Sequence, residues 1–314
     1  MFSRESSSSR RDVAAAARKA MLDRPSLATV RAQELSSTTE PSGQSSLQLG
    51  VASAIERLKS LHDGDWAFSD VVGFGAEAVP ELRTLLFQRE PSGLFLVRRR
   101  VAEALAALKS FDALGEFLRL DREIDDPVER LGEEVVISTA ARLISQLQEE
   151  WVFQLLLSLA RRRSLSGVLA GLGAFRRVES IPCLVRALAE DDVRPTAEAV
   201  LRSFGTAARP QLVRAATHST DPMRPKSETG LRARRSAIRV LLEIGVSRKQ
   251  WPHLRPLMQD EDLQIAMLAC TACDLVGTAA DRTNAACRLA VLRPRGDWLQ
   301  RQQIDEIAKG LAGT

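Results

Sequence analysis

The chain contains no tyrosine, aromatic residues make up only 4% of it, and its basic residues are nearly all arginine rather than lysine. Sheet sandwiches and barrels fill their strands with Tyr, Phe, Val, Ile and Thr, so this shortage argues against a β architecture. Histidine is scarce too. His62, His218 and His253 stand far apart, and neither a His-Glu-x-x-His nor a Gly-x-Ser-x-Gly pattern occurs. Metalloprotease and serine-hydrolase chemistry therefore has no signature. The longest apolar run, Val152 to Ala160, falls far short of the ~20 residues of a membrane span. The start has no secretory apolar region, since Ala14 to Ala17 is short. A cytoplasmic location and no membrane contact are expected.

Four cysteines, Cys183, Cys270, Cys273 and Cys287, fall in apolar helical stretches, the setting of reduced, buried thiols rather than of a disulfide framework. Cys270 and Cys273 have the two-residue spacing of a zinc knuckle or redox pair. A zinc site needs four ligands and only Cys287 is near, while a redox pair belongs at a helix start after a strand. This pair is mid-helix, so small core residues are expected, with no metal and no cofactor.

The 314 residues that are present are 45% hydrophobic and 27% charged, with a formal net charge of +4. Ala, Leu and Arg, all good helix formers, are in excess. Residues 1–48 stand apart: Ser6 to Ser9, Ser36 to Thr39 and Pro41 to Ser46 have too little apolar surface to offset chain entropy. A mostly disordered Ser-rich tail is expected there, followed by a repeat domain over 49–314. Beyond the tail, apolar residues recur at helical spacing, as in Val101 to Leu108, and no sustained two-residue alternation appears.

One short pattern returns through the chain: Val79-Pro80-Glu81-Leu82, Ile181-Pro182-Cys183-Leu184, Arg209-Pro210-Gln211-Leu212 and Trp251-Pro252-His253-Leu254. Each copy follows a Gly-bearing stop, at Gly75, Gly173, Gly205 and Gly245. Gly suits the left-handed position that ends one helix, and Pro is pre-set for the first turn of the next. Units opening at Leu114 and Trp151 fit the spacing without Pro. A last unit runs from Asp262 through Gly277 to Leu292, and Trp298 to Leu311 forms a capping helix. The interval Pro210 to Pro252 is longer than Pro182 to Pro210, with the surplus at Thr217 to Thr229.

With Val97-Arg98 before Ala102-Glu103-Ala104-Leu105, Gly75 to Leu82 before Leu85-Leu86, and Val193-Arg194 before Ala197 to Leu201, the chain resembles the HEAT-like repeat family, particularly its short bacterial type, which the bilin lyases share. The resemblance covers about 51–310. It implies an all-α superhelix of about six to seven hairpins whose second helices line a concave face. Aligning those second helices brings out an arginine row, Arg83, Arg119, Arg186, Arg214 and Arg255, interrupted by Leu157. A solvated face, with Arg stems covering apolar surface, accounts for such a row equally directly. A second basic group comprises Arg224, Lys226, Arg232 and Arg235.

A repeat solenoid exposes a long surface suited to gripping partners. The expected function is therefore a non-catalytic scaffold for another protein or an acidic peptide, not an enzyme. The alternative is a nucleic-acid-binding protein contacting phosphates through the arginines. Some alkylpurine DNA glycosylases use HEAT-like repeats, but their catalytic residues find no match here, and no residue specifically supports a bilin lyase.

Overall fold

A computed structural model describes residues 43–312 apart from 61, 121 and 219–226. Two compact units are distinguished, Met1–Ser53 and Ala54–Thr314. The expected tail over 1–48 lies, up to residue 42, outside the described residues. Its last residues already belong to the first described helix, α1 (Gly43–Lys59).

The described residues hold no strand, and Ala54–Thr314 is an all-α stack of two layers. The first layer contains α2 (Gly64–Gly73), α4 (Leu96–Ala107), α6 (Pro127–Ile144), α8 (Ser166–Phe175), α10 (Arg194–Phe204), α12 (Glu228–Glu243) and α14 (Leu263–Val276). The second contains α3 (Val79–Phe87), α5 (Phe111–Arg119), α7 (Glu150–Arg162), α9 (Ile181–Ala187), α11 (Arg209–Thr217), the short α13 (Trp251–Leu254) and α15 (Ala279–Leu292). Each second-layer helix packs on the first-layer helix that follows it, and successive members of each layer pack on one another, α15 reaching its neighbour through the 3-10 turn after α13. Among the described residues this makes seven hairpins, closed by α16 (Trp298–Ala312) on α14 and α15.

The recurring Pro opens the second-layer helices as expected: Pro80, Pro182, Pro210 and Pro252 occupy first-turn positions of α3, α9, α11 and α13. There the missing N–H removes no helical hydrogen bond. Gly75, Gly205 and Gly245 take the positive φ (62°, 56° and 83°) that lets one helix stop and the chain turn. Gly173 does not. It stays inside α8, where an added Cβ would lie 2.7 Å from Val200, and Arg176 supplies the left-handed stop instead (φ 51°). Close packing of α10, rather than chain reversal, requires that glycine.

The core is aliphatic with two large rings, Phe117 and Phe153, fully buried among leucines and alanines. Each Leu held from water contributes about 1.5–3 kcal/mol. Between hairpins, arginines satisfy the carbonyls that helix ends leave unpaired. Arg98 on α4 donates from Nε and Nη2 to the Leu86 carbonyl at 3.0 and 2.8 Å, in the last turn of α3. Arg234 reaches the Ala216 carbonyl of α11 (2.9 Å), Arg194 that of Leu188 (3.0 Å), and Arg288 those of Met258 and Asp260 (both 3.1 Å). A cation at the negative end of a helix is also favoured by the helix dipole. The arginine of the Val-Arg pairs is thus a helix cap contributed by the following hairpin. Much of the chain's basic content is used in this way.

Cys270 and Cys273 are fully buried in α14, and burial pushes their thiols up to about 12 and about 11, well away from reactive thiolate. Cys183 is also buried, but Cys287 on α15 is exposed, lining an open pocket with Pro252 and Pro256. The expectation of four buried thiols therefore holds for three.

Candidate functional site

An open groove of about 1120 Å3 runs along the first-layer helices α4, α6, α8 and α10 and the connectors leading into α8 and α10. Its floor is the α6–α8 crossing. Pro127 opens α6 behind Asp126, whose carboxylate accepts from Val128 N (2.9 Å) and Glu129 N (2.8 Å). At the crossing, Gly167 brings α8 so close that an added Cβ would lie 1.8 Å from the Ser138 carbonyl oxygen.

Beside that contact, one stripe of α6 turns toward the groove. Val128, Leu131, Val135, Ser138 and Arg142 follow each other at three- and four-residue steps, so they share a face. Val128 and Leu131 are 58% and 64% exposed, and the last four line the groove. The stripe runs from apolar to basic. At its basic end, Arg161 on α7 joins Arg142. Neither guanidinium has an ion pair or hydrogen bond among the described residues.

The walls carry both signs. Arg99, Arg142, Arg161, Arg162, Arg163 and Arg186 line the groove together with Glu103, Glu134, Glu190 and Asp192. Arg99 lies 3.7 Å from Glu103, and its buried Nε has no hydrogen-bond partner. The groove is therefore a mixed surface with a modest positive excess.

The arginine row falls, as aligned, on second-layer elements, but no single cavity gathers it. Arg83 pairs with Glu116 on α5 and stacks over Phe87 at 5.8 Å. Arg119 stacks over Trp151 of α7 at 5.1 Å. Arg186 donates to the Ala160 carbonyl of α7 and lines the first-layer groove. Arg255 pairs with Asp281 of α15 at 2.8 Å. Arg214 alone of the five has no side-chain partner among the described residues, and it lines a separate pocket between α11 and α13. Four of the five thus link adjacent second-layer helices.

Of the second basic group, Arg224 and Lys226 lie outside the described residues. Arg232 pairs with Asp191 and Glu228, and Arg235 with Asp262 and Glu228. Asp262 caps α14 through Ile265 N at 2.9 Å; burial opposes its charge, but Arg235 and the cap hydrogen bonds outweigh this and hold its carboxyl below the usual range. These two arginines are neutralised within the fold. Among the described residues no group of three or more His, Cys, Asp or Glu is placed to hold a metal ion, and no helix is long and apolar enough to cross a membrane.

Sequence reasoning missed the α6 stripe and the convergence of His218 and His253, which the fold brings to one pocket although they are far apart in the chain. The helical spacing of Val128, Leu131 and Val135 was the available signal, but a core-facing stripe has the same spacing.

No protein-family model and no curated protein matches the chain. Among solved structures, the complex of CpcE and CpcF of phycocyanin lyase from Nostoc sp. PCC7120 is similar at 17% identity and a TM-score of 0.29, over 88% of this chain and 97% of that one. The expectation that the chain is not an enzyme is corrected on this comparison. The matching structure is that of a lyase, and the non-catalytic reading is not retained.

Proposed function

We propose that the chain is a HEAT-like scaffold that holds a segment of a partner protein in the first-layer groove. The α6 stripe carries this reading. It offers Val128, Leu131 and Val135 as an apolar seat, then Ser138, Arg142 and Arg161 as hydrogen-bonding and cationic positions along the same line. An amphipathic segment with apolar anchors at one end and carboxylates at the other complements that order. The mixed walls favour a polypeptide over a phosphodiester strand, which would bring its charge against Glu103, Glu134, Glu190 and Asp192. The Val-Arg caps and Pro-opened second helices support the HEAT-like assignment.

A photocrosslinking residue at Ser138 tests the reading in native lysate, with the double variant Leu131→Asp/Arg142→Glu as its control. The expected result is one stoichiometric polypeptide crosslinked to the wild type, retained at least about tenfold less by the double variant, with an unchanged melting curve. Equal capture by both proteins, or recovery of nucleic acid lost steeply with added salt, overturns it.

A further inference from the structure

The pocket between α11 and α13 lies in the second layer and differs in kind from the groove. Its volume is about 360 Å3, within the ~300–1,000 Å3 typical of small-ligand sites. Arg214, Lys249, Gln250 and His253 line it beside His218 and the buried Val213. No carboxylate lines it among the described residues, whereas four line the first-layer groove.

The donors are uncommitted. Arg214 and Lys249 have no side-chain partner among the described residues, although Arg83 and Arg255, at equivalent positions in other hairpins, are both in ion pairs. The oxygen of Gln250 is occupied, accepting from Ser247 N and Oγ at 3.1 Å each, so its amide NH2 is the end left to donate. Two cations lining one pocket with no counter-ion among the described residues repel one another, and an anion relieves that repulsion.

We propose that this pocket binds a phosphate monoester group. A guanidinium fork holds two oxygens of one anion, and an ammonium and an amide then suit a third. A phosphate monoester has three terminal oxygens and a charge of about −1.5 to −2 near neutral pH, whereas a carboxylate has two oxygens and a single charge. The ester comes from a small phosphorylated metabolite or from a phosphorylated residue of a peptide, and the same chemistry recognises both.

Titration of the full chain by isothermal calorimetry tests this with three probes: phenyl phosphate, a short phosphoserine peptide and its unphosphorylated form. Saturable binding of a phosphorylated probe is expected, weakened about tenfold or more by Arg214→Gln/Lys249→Gln and left unchanged by Arg83→Gln. Comparable binding of both phosphorylated probes assigns a small-ester site, and a clear preference for the phosphopeptide assigns a peptide site. The proposal fails if neither phosphorylated probe saturates, if the unphosphorylated peptide binds equally well, or if the double variant binds as tightly as wild type. The double variant's melting curve, expected to match wild type because neither side chain has a partner among the described residues to lose, separates a lost site from a lost fold. The outcome is independent of the groove, which shares none of these residues.

Discussion

Two arginine–glutamate pairs connect neighbouring hairpins of the same stack in opposite surroundings. In the first layer, Arg98 and Glu133 join α4 to α6 with both side chains 7% exposed. In the second, Arg83 and Glu116 join α3 to α5 at 44% and 45% exposure. The buried arginine also donates twice to the Leu86 carbonyl and lies 5.3 Å over Phe117. In water the exposed pair exchanges one set of hydrogen bonds for another at little net gain. Removing half of the buried pair leaves a charge that cannot be hydrated. The same chemistry is thus structural in one layer and close to neutral in the other, which explains why a count of arginines says little about function.

The largest effect should come from breaking the buried pair. Arg98→Ala is expected to lower stability by about 3–5 kcal/mol in urea unfolding, because it strands Glu133 and the Leu86 carbonyl together. Arg122, whose Nη1 lies 3.7 Å from Glu133, limits the loss on the carboxylate side. A double change to Arg98→Met/Glu133→Leu should cost clearly less than the single one, since neither member of the pair is then left buried without the other, and Arg122, 24% exposed, retains access to water. If the double variant is no more stable than Arg98→Ala, the stranded charge is not the cause, and the comparison between layers loses its basis.

A middle-sized effect is expected at the first-layer crossing. Gly167→Ala places a methyl 1.8 Å from the Ser138 carbonyl oxygen, a contact only backbone movement relieves. Overpacking of this kind costs about 1–3 kcal/mol, read as a lower thermal midpoint. Ser138 lies on the groove stripe, so the same substitution should also weaken partner capture. An unchanged midpoint means that α6 and α8 are not packed as tightly as described.

The fold was legible because its punctuation is local. Pro80, Pro182, Pro210 and Pro252 open helices through a fixed φ and a missing N–H, which depend on no distant residue. Gly173 was misread as a stop because its role is set by Val200, on the next first-layer helix, and no local rule contains that contact. The candidate sites were harder to read for the same reason. Val128, Leu131 and Val135 have the spacing of a buried face, and only the fold shows Val128 and Leu131 exposed and Val135 half-buried in the groove. His218 and His253 come to line one pocket because α11 packs on α13 across the long interval between Pro210 and Pro252. Arg83 and Arg214 look alike in the chain, and only the fold distinguishes a paired arginine from an unpaired one.

The smallest effect should be at the exposed pair, and its smallness is the informative part. Arg83→Ala removes the ion pair to Glu116 and a guanidinium 5.8 Å above the Phe87 ring. Exposed pairs contribute about 0.2–1 kcal/mol, and an exposed cation over an aromatic ring about 0.5–1. A loss near 1 kcal/mol is therefore expected in urea, shrinking as salt screens the charge component. The Arg98→Ala loss should be nearly independent of salt, because counter-ions do not reach a pair with both side chains 7% exposed. Salt dependence thus separates the layers even where the size of the two losses does not. If Arg83→Ala costs as much as Arg98→Ala and is equally indifferent to salt, the second-layer row is a structural seam in its own right, and Arg214, which lacks such a pair, becomes the exception the stack has to tolerate.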